Sequence, residues 1–289
     1  MARGPQVTVG ESPAQVGHSV IRVQSDGWTE GDDVLAAEEP MEIRLLTEAD
    51  QWQTAESIAI TMRTPGDDFE LATGFLHGEG IIGSREDVLD VSYCLDETEE
   101  QRLNIVTVTL RSGLAIDLSR LDRHFYTTSS CGVCGKAALD ALDMQGYAPV
   151  ANGARVHANI IRSLPQTLRQ KQAVFRQTGG LHAAGLFDLD GNLLDLREDV
   201  GRHNALDKLI GYQLMRGRDQ LTDRVLLLSG RASFELLQKA LVARIPIVAA
   251  VGAPSSLAVQ LADTFNVTLA GFVRADGFNI YTGPERVIR

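Results

Sequence analysis

Two of the three cysteines in this 289-residue chain stand close together, Cys131 and Cys134, in the stretch Ser129–Lys136 that reads SSCGVCGK. A glycine follows each, and the helical pattern KAALDALDM (Lys136–Met144) begins directly behind them. The thiolate is the reactive form of cysteine, and a helix N-terminus with Lys136 beside it lowers a thiol pKa from its free value of about 8.5. Such a pair can carry sulfur as a persulfide, cycle between dithiol and disulfide, or ligate zinc. Burial as two small hydrophobic residues suits a glycine-flanked loop poorly.

A structural zinc takes four ligands, and beyond the lone Cys94 no second Cys-x-x-Cys or His pair has suitable spacing. A catalytic zinc is the sharper alternative. His77-Gly78-Glu79 followed by Cys131-x-x-Cys134 imitates the His-x-Glu and Pro-Cys-x-x-Cys signature of nucleobase deaminases. Against it, Ser130 replaces the proline, His77 falls at the end of its predicted helix, and the cysteines precede the half in which deaminase ligands belong. The corresponding positions, near His203 and Arg231, carry no cysteine. The expectation is a deaminase-like sheet with no metal.

The composition, 44% hydrophobic and 22% charged with a net charge of −11, is that of a soluble globular protein. That charge excludes a general nucleic-acid or anionic-membrane surface. No apolar run approaches the ~20 residues of a membrane span, the opening MARGPQVTVGESPAQ lacks a signal-peptide core, and an odd cysteine count does not suggest a disulfide framework. A cytoplasmic protein is expected. Its organisation reads as a polar tail over residues 1–17, an α+β domain over 18–150 that ends in the cysteine loop and its helix, and an α/β domain over 151–289.

In the first half, His18–Gln24, Met41–Leu46, Glu56–Arg63 and Asn104–Arg111 read as half-buried strands. Asp67 and Glu70 have capping-box spacing for a helix through Leu76 that Gly78 and Gly80 end. In the second half, a helix over Pro165–Arg176 precedes a hairpin of Leu181–Asp188 and Asn192–Arg197, then a helix over His203–Met215. Strands Arg224–Gly230, Ile245–Val251 and Thr268–Val273 alternate with helices Ser233–Ala243 and Ser255–Phe265. This β-α-β-α-β order calls for a parallel sheet.

Ligands of open parallel sheets sit beyond the carboxyl ends of the strands, where helix N-termini offer unpaired N–H groups. Three loops meet there: 229–233, 252–256 and 272–277. Glycines permit close backbone approach, Ser229 can bind a phosphate oxygen, Arg231 and Arg274 are forked cations suited to pyrophosphate, and Asp276 can accept from a base edge. Glycine and serine are also ordinary turn and cap residues; convergence of three such loops is what points to a phosphate-bearing ligand. His182 and His203 belong to the second half as well, each open to a structural reading. Asp199, Arg202, His203, Asn204 and Asp207 crowd a helix start, where they bind a ligand or cap the helix.

Six segments in order carry a family resemblance: PGDDFELATGFLHGEGII (Pro65–Ile82), SSCGVCGK, TGGLHAAGL (Thr178–Leu186), REDVGRHNALDKLIG (Arg197–Gly211), LSGRASFELLQKA (Leu228–Ala240) and GFNIYT (Gly277–Thr282). From about Pro40 to Ile288 the chain resembles the formate dehydrogenase accessory sulfurtransferases, FdhD. The resemblance implies a cytosolic, homodimeric persulfide carrier. It takes sulfur from a cysteine desulfurase and delivers it to the bis(molybdopterin guanine dinucleotide) molybdenum cofactor required by formate dehydrogenase. It places the persulfide on Cys131 with Cys134 assisting, and the cofactor's guanine nucleotide at Phe272, Val273, Arg274, Ala275, Asp276 and Gly277. It also implies a cytidine-deaminase-like, three-layer α/β/α second half beside a smaller α+β domain. A cofactor-delivery chaperone without sulfur chemistry, and the zinc deaminase built on His77, Glu79, Cys131 and Cys134, are the alternatives.

Overall fold

The computed structural model describes residues 13–47, 55–94, 103–114 and 146–289, so Cys131, Cys134 and the Lys136–Met144 helix lie outside the described residues. The chain opens in a two-stranded antiparallel ribbon, β1 (Gln15–Gln24) and β2 (Gly27–Ala36). Its Ile21, Val23 and Trp28 stay exposed. The alternating stretches then form β3 (Glu39–Thr47) and β4 (Glu56–Arg63), joined by β5 (Val88–Tyr93) and β6 (Ile105–Leu110) in a sheet of order β4-β3-β6-β5. Met41, Ile43, Val106 and Val108 pack with Leu71, Ala72 and Leu76 of α1 (Asp68–Gly78).

The capping box expected at α1 does not form. Asp67 adopts a left-handed backbone with φ of 54° and makes no side-chain cap, whereas side-chain capping needs a residue in the extended region. The Asp67 carboxylate lies 3.4 Å from Arg197 Nε of the second half instead.

That half is a three-layer α/β/α structure. The segment expected as one helix over Pro165–Arg176 is two, α2 (Ala158–Lys171) and α3 (Ala173–Thr178), with Pro165 inside the first. A proline reads as a helix start because it lacks an N–H. Here the buried stripe Ile161, Leu164 and Leu168 holds the helix together across that missing bond. The break at Gln172 is fixed by Glu198, whose carboxylate accepts from the backbone N–H groups of Val174 and Phe175 at 3.2 and 2.9 Å.

The hairpin β8 (His182–Phe187) and β9 (Leu193–Asp199) precedes α4 (Arg202–Leu214), followed by β10 (Val225–Leu228), α5 (Phe234–Val242), β11 (Ile247–Ala250), α6 (Ser256–Thr264) and β12 (Thr268–Arg274). The strand β13 (Gly277–Thr282) turns back along β12, giving the order β13-β12-β11-β10-β8-β9. β10, β11 and β12 are parallel as expected, and β8, β9 and β13 run against their neighbours. Leu226, Leu228, Val248 and Leu269 face α4, α5 and α6, while Val225, Leu227, Ile247 and Ala249 face α2. A short parallel pair of β7 (Val156–His157) with β14 (Val287–Ile288) closes the half.

α1 crosses α4 at backbone contact. A Cβ at Gly74 would fall 1.9 Å from the Asp207 carbonyl oxygen, and one at Gly211 would fall 1.9 Å from that of Glu70. Gly74→Ala is therefore expected to destabilise the fold by about 3 kcal/mol, seen as a lower denaturant midpoint. Gly17→Ala, in the open ribbon with nothing near its Cβ position, should stay within about 0.5 kcal/mol of the unaltered chain.

Candidate functional site

The carboxyl ends of β10, β11 and β12 are bound to one another through the main chain. Gly252 N–H donates to the Gly230 carbonyl at 2.9 Å, Ala232 N–H to Ala253 at 3.2 Å, Ser255 N–H to Ala232 at 2.9 Å, and Phe272 N–H to Gly252 at 3.1 Å. The approach is close enough that a Cβ at Gly252 would lie 2.9 Å from Arg231 N and Gly230 O. Ser255 caps α6, its hydroxyl accepting from Ala258 N–H at 3.2 Å.

Ser229, Arg231 and the segment 272–277 thus come together at one edge. The segment is not a loop, however: β12 runs on through Arg274, which pairs with Gly277, so Ala275 and Asp276 form the turn of a hairpin. A β-bulge puts Phe272 at φ 55°, with its ring exposed. Val273 is only 1% exposed and packs into the core, which leaves its backbone alone to meet a ligand. Arg274, Ala275 and Asp276 are exposed and Gly277 is half-buried. The Ser229 hydroxyl accepts from Ala183 N–H at 2.8 Å, extending the β10–β8 pairing. Arg231 and Arg274 have no hydrogen-bond or ion-pair partner among the described residues.

Because β8 runs against β10, its first residue, His182, arrives at this same edge, followed by the end of β9 and the start of α4. Strand direction reverses between β10 and β8. Asp199 is fully buried there. Its Oδ2 lies 2.7 Å from Lys208 Nζ and accepts from Thr64 N–H at 3.1 Å, while its Oδ1 accepts from Gly201 N–H at 2.8 Å and Asn204 Nδ2 at 3.1 Å. Lys208 also donates to the Thr64 carbonyl at 2.7 Å, and Asn204 to that of Met62 at 2.7 Å. The polar cluster at the start of α4 therefore divides: Asp199, Asn204 and Asp207 are used by the scaffold, and Arg202 and His203 are left facing the edge.

His203 Nε2 lies 3.2 Å from Ser233 Oγ and 3.3 Å from a Glu235 carboxylate oxygen. Burial lowers its pKa, Glu235 opposing and Arg202 reinforcing. Burial also lowers that of His182, again reinforced by Arg202. Both shifts favour the neutral ring.

The histidine and glutamate of the deaminase-like reading do not reach this edge. His77 Nδ1 donates to the Ile82 carbonyl at 3.1 Å, and Glu79 lies 3.5 Å from Lys239 Nζ within the α1–α4–α5 junction. Among the described residues no group of three or more His, Cys, Asp or Glu side chains is arranged to hold a metal. The buried lysines Lys208 and Lys239 went unread in the sequence, although both stand at apolar-face positions of their helices with aspartates in step.

The molecule is an α/β sheet whose carboxyl edge carries Arg231, Arg274 and closely approached glycines, fused through the Gly74–Gly211 helix crossing to an α+β layer. The model of the FdhD/NarQ family matches residues 36–288, and the chain belongs to that family. The sulfur carrier protein FdhD of Streptomyces coelicolor is 49% identical over 272 residues, 93% of this chain and 94% of that one. Its namesake in Mycolicibacterium paratuberculosis is 52% identical over 258 residues, 88% and 92% of the two chains. A Desulfotalea psychrophila crystal structure, provisionally called a formate dehydrogenase accessory protein, superposes with a TM-score of 0.72 at 25% identity, covering 96% of this chain and 100% of that one.

Lys239 Nζ sits between Asp207, at 2.9 Å, and Glu79. Burial pushes the Asp207 carboxyl up to about 7 against the pull of Lys239; burial would lower the lysine, but the two carboxylates outweigh it and hold it above its ordinary value. Lys239→Met strands both carboxylates, so a loss of about 3–5 kcal/mol is expected, with Lys239→Met/Asp207→Leu recovering a large part of it in denaturant unfolding. The raised Asp207 pKa means the folded chain holds that proton more tightly than the unfolded one. Its contribution to stability is full below an unfolded pKa of 3.8 and is lost as pH rises through 7. Asp207→Asn should flatten the fall in denaturant midpoint between about pH 4 and about pH 7.

Proposed function

We propose that the chain is a persulfide sulfur carrier serving formate dehydrogenase. The observation that carries the reading is the Cys131-x-x-Cys134 pair in a chain about half identical, over nearly its whole length, to proteins named sulfur carriers. In this reading the Cys131 thiolate attacks the outer sulfur of a cysteine desulfurase persulfide. The new Cys131 S–S bond forms as the donor's S–S bond breaks, and the donor leaves as a thiolate, so no net oxidation is required. Cys134 shelters the product or releases its sulfur by forming a disulfide with Cys131.

The acceptor is the molybdenum cofactor in its bis(molybdopterin guanine dinucleotide) form, docked by its nucleotide ends. Support comes from the edge itself, where Arg231 and Arg274 are unpaired, the helix N-termini of α5 and α6 converge, and the 272–277 hairpin stands beside them. Ser229 offers its hydroxyl proton and Asp276 an acceptor for a base edge. The reading includes a division into an α+β and an α/β domain near residue 150, a homodimer, and a cytoplasmic setting. No described helix is long and apolar enough to cross a membrane.

After incubation with a cysteine desulfurase and cysteine, mass spectrometry should find ~32 Da added to Cys131; unmodified Cys131 in active protein sinks the assignment. Arg274→Ala should weaken guanine nucleotide binding about tenfold, the scale of a charge-assisted hydrogen bond. A Cys131→Ala/Cys134→Ala chain should fail to support formate dehydrogenase activity in cells, whereas a chaperone without sulfur chemistry would still support it.

A further inference from the structure

The two faces of the opening ribbon are unlike. Residues paired across the strands share a face, and the pairs Val23–Trp28, Ile21–Glu30, Ser19–Asp32 and Gly17–Val34 set Ile21, Val23, Trp28, Val34, Glu30 and Asp32 on one side. All of these side chains are exposed, Trp28 to 74%. That face joins an apolar tip to two carboxylates and holds no cation. A two-stranded ribbon is marginal in water unless something packs on it, and apolar side chains clustered in solvent mark a contact with another molecule.

The helical layer over the second half supplies the complement. In a chain of net charge −11, residues 155–178 contain no Asp or Glu, while Arg155, Arg162, Arg169, Lys171 and Arg176 are all exposed. Arg162 and Arg169 stand about two turns apart on one face of α2, and Arg155 before it and Arg176 on α3 continue the row at the same sequence interval. Arg169 lies over the Phe175 ring at 4.9 Å, and none of the five cations has a carboxylate partner among the described residues. A chain this acidic repels its own copies over most of its surface. The arginine row is where an acidic face of a second copy is attracted instead.

Within one chain, ribbon and row adjoin without covering each other. The foot of β2 rests on α3, where a Cβ at Gly180 would lie 3.7 Å from that of Ala36, and α3 carries Arg176. Glu30 and Asp32 nevertheless make no ion pair with the row among the described residues, and the apolar tip stays open. A two-fold axis passing beside α3 lays each ribbon along the row of the other copy, so the contact closes on itself. The lengths agree: strands of 10 residues reach about 33 Å, enough to follow the 14-residue α2 over its about 21 Å.

We propose that the acidic, apolar face of the β1–β2 ribbon docks on the arginine row of α2 and α3 in a second copy of this chain, reciprocally. The proposal rests on the homodimer of the sulfur-carrier reading and gives that dimer its surface; whether the cysteines carry sulfur does not enter it. Trp28 packs on guanidinium groups and their aliphatic stems, and Glu30 and Asp32 set the register.

Sedimentation equilibrium of the full chain tests this with two charge-reversed variants, Arg162→Glu/Arg169→Glu on the row and Glu30→Lys/Asp32→Lys on the ribbon. The unaltered chain is expected to dimerise, with a dissociation constant that rises as salt goes from about 0.05 to about 0.5 M. Each variant alone should dimerise about a hundredfold more weakly, because reversal sets like charges against each other at both contacts. Mixed in equal amounts, the two should return to within about tenfold of the unaltered affinity, since each contact of the mixed dimer again joins opposite charges; that recovery also shows both variants to be folded. Trp28→Ser, which leaves every charge in place, should weaken the dimer about tenfold. Variants that dimerise as the unaltered chain does overturn the proposal and leave a homodimer built on another surface. Variants that are monomeric alone and stay so when mixed overturn the pairing of ribbon with row, as does an unchanged affinity in Trp28→Ser. A monomeric unaltered chain overturns the homodimer together with the proposal, while the sulfur chemistry is still decided by mass spectrometry at Cys131.

Discussion

The structure depends on one enclosed carboxylate. Asp199 gathers Lys208, the Thr64 backbone, the Gly201 backbone and Asn204, groups from both halves, around two oxygen atoms that never meet water. Removing either charge would leave the other buried and uncompensated, at a cost of several kcal/mol, so each is held in place by the other. The same clasp turns the chain from β9 into α4, which sets the helix against α1 at glycine contact and aims its first residues at the sheet edge. A second ion group, Lys239 between Asp207 and Glu79, repeats this logic from the residue next to Lys208 on α4. The two halves are thus joined by charge and by backbone proximity, with Leu214 of α4 reaching into the core of the first.

Much of this was legible in the sequence. Short, wholly apolar runs such as Val225–Leu228 and Ile247–Ala250, spaced by helical segments, can only be central strands, and the parallel sheet with its converging loops follows from them. What escaped was set by geometry that residue spacing does not encode. Asp67 and Glu70 had the spacing of a cap, yet a preceding Pro-Gly turn drove Asp67 into a left-handed conformation that no cap can use. Pro165 suggested a helix start although three leucine and isoleucine contacts held the helix across it. The β12–β13 turn carried a hairpin signal in Asp276-Gly277, hidden by reading the segment only as a ligand loop.

Charged residues were the least legible. Lys208 and Lys239 follow the apolar rhythm of their helices, and a lysine in that rhythm can only be stable if a carboxylate waits across the interface.

The main-chain bonds linking residues 230, 232, 252, 253, 255 and 272 have a consequence for recognition. Loops that hold each other by backbone groups are already ordered before anything arrives. The conformational entropy lost on association then falls on the arriving molecule and on a few long side chains, not on the polypeptide. Such an edge keeps its shape while its side chains are exchanged, so selectivity can drift through substitution without the scaffold having to be rebuilt.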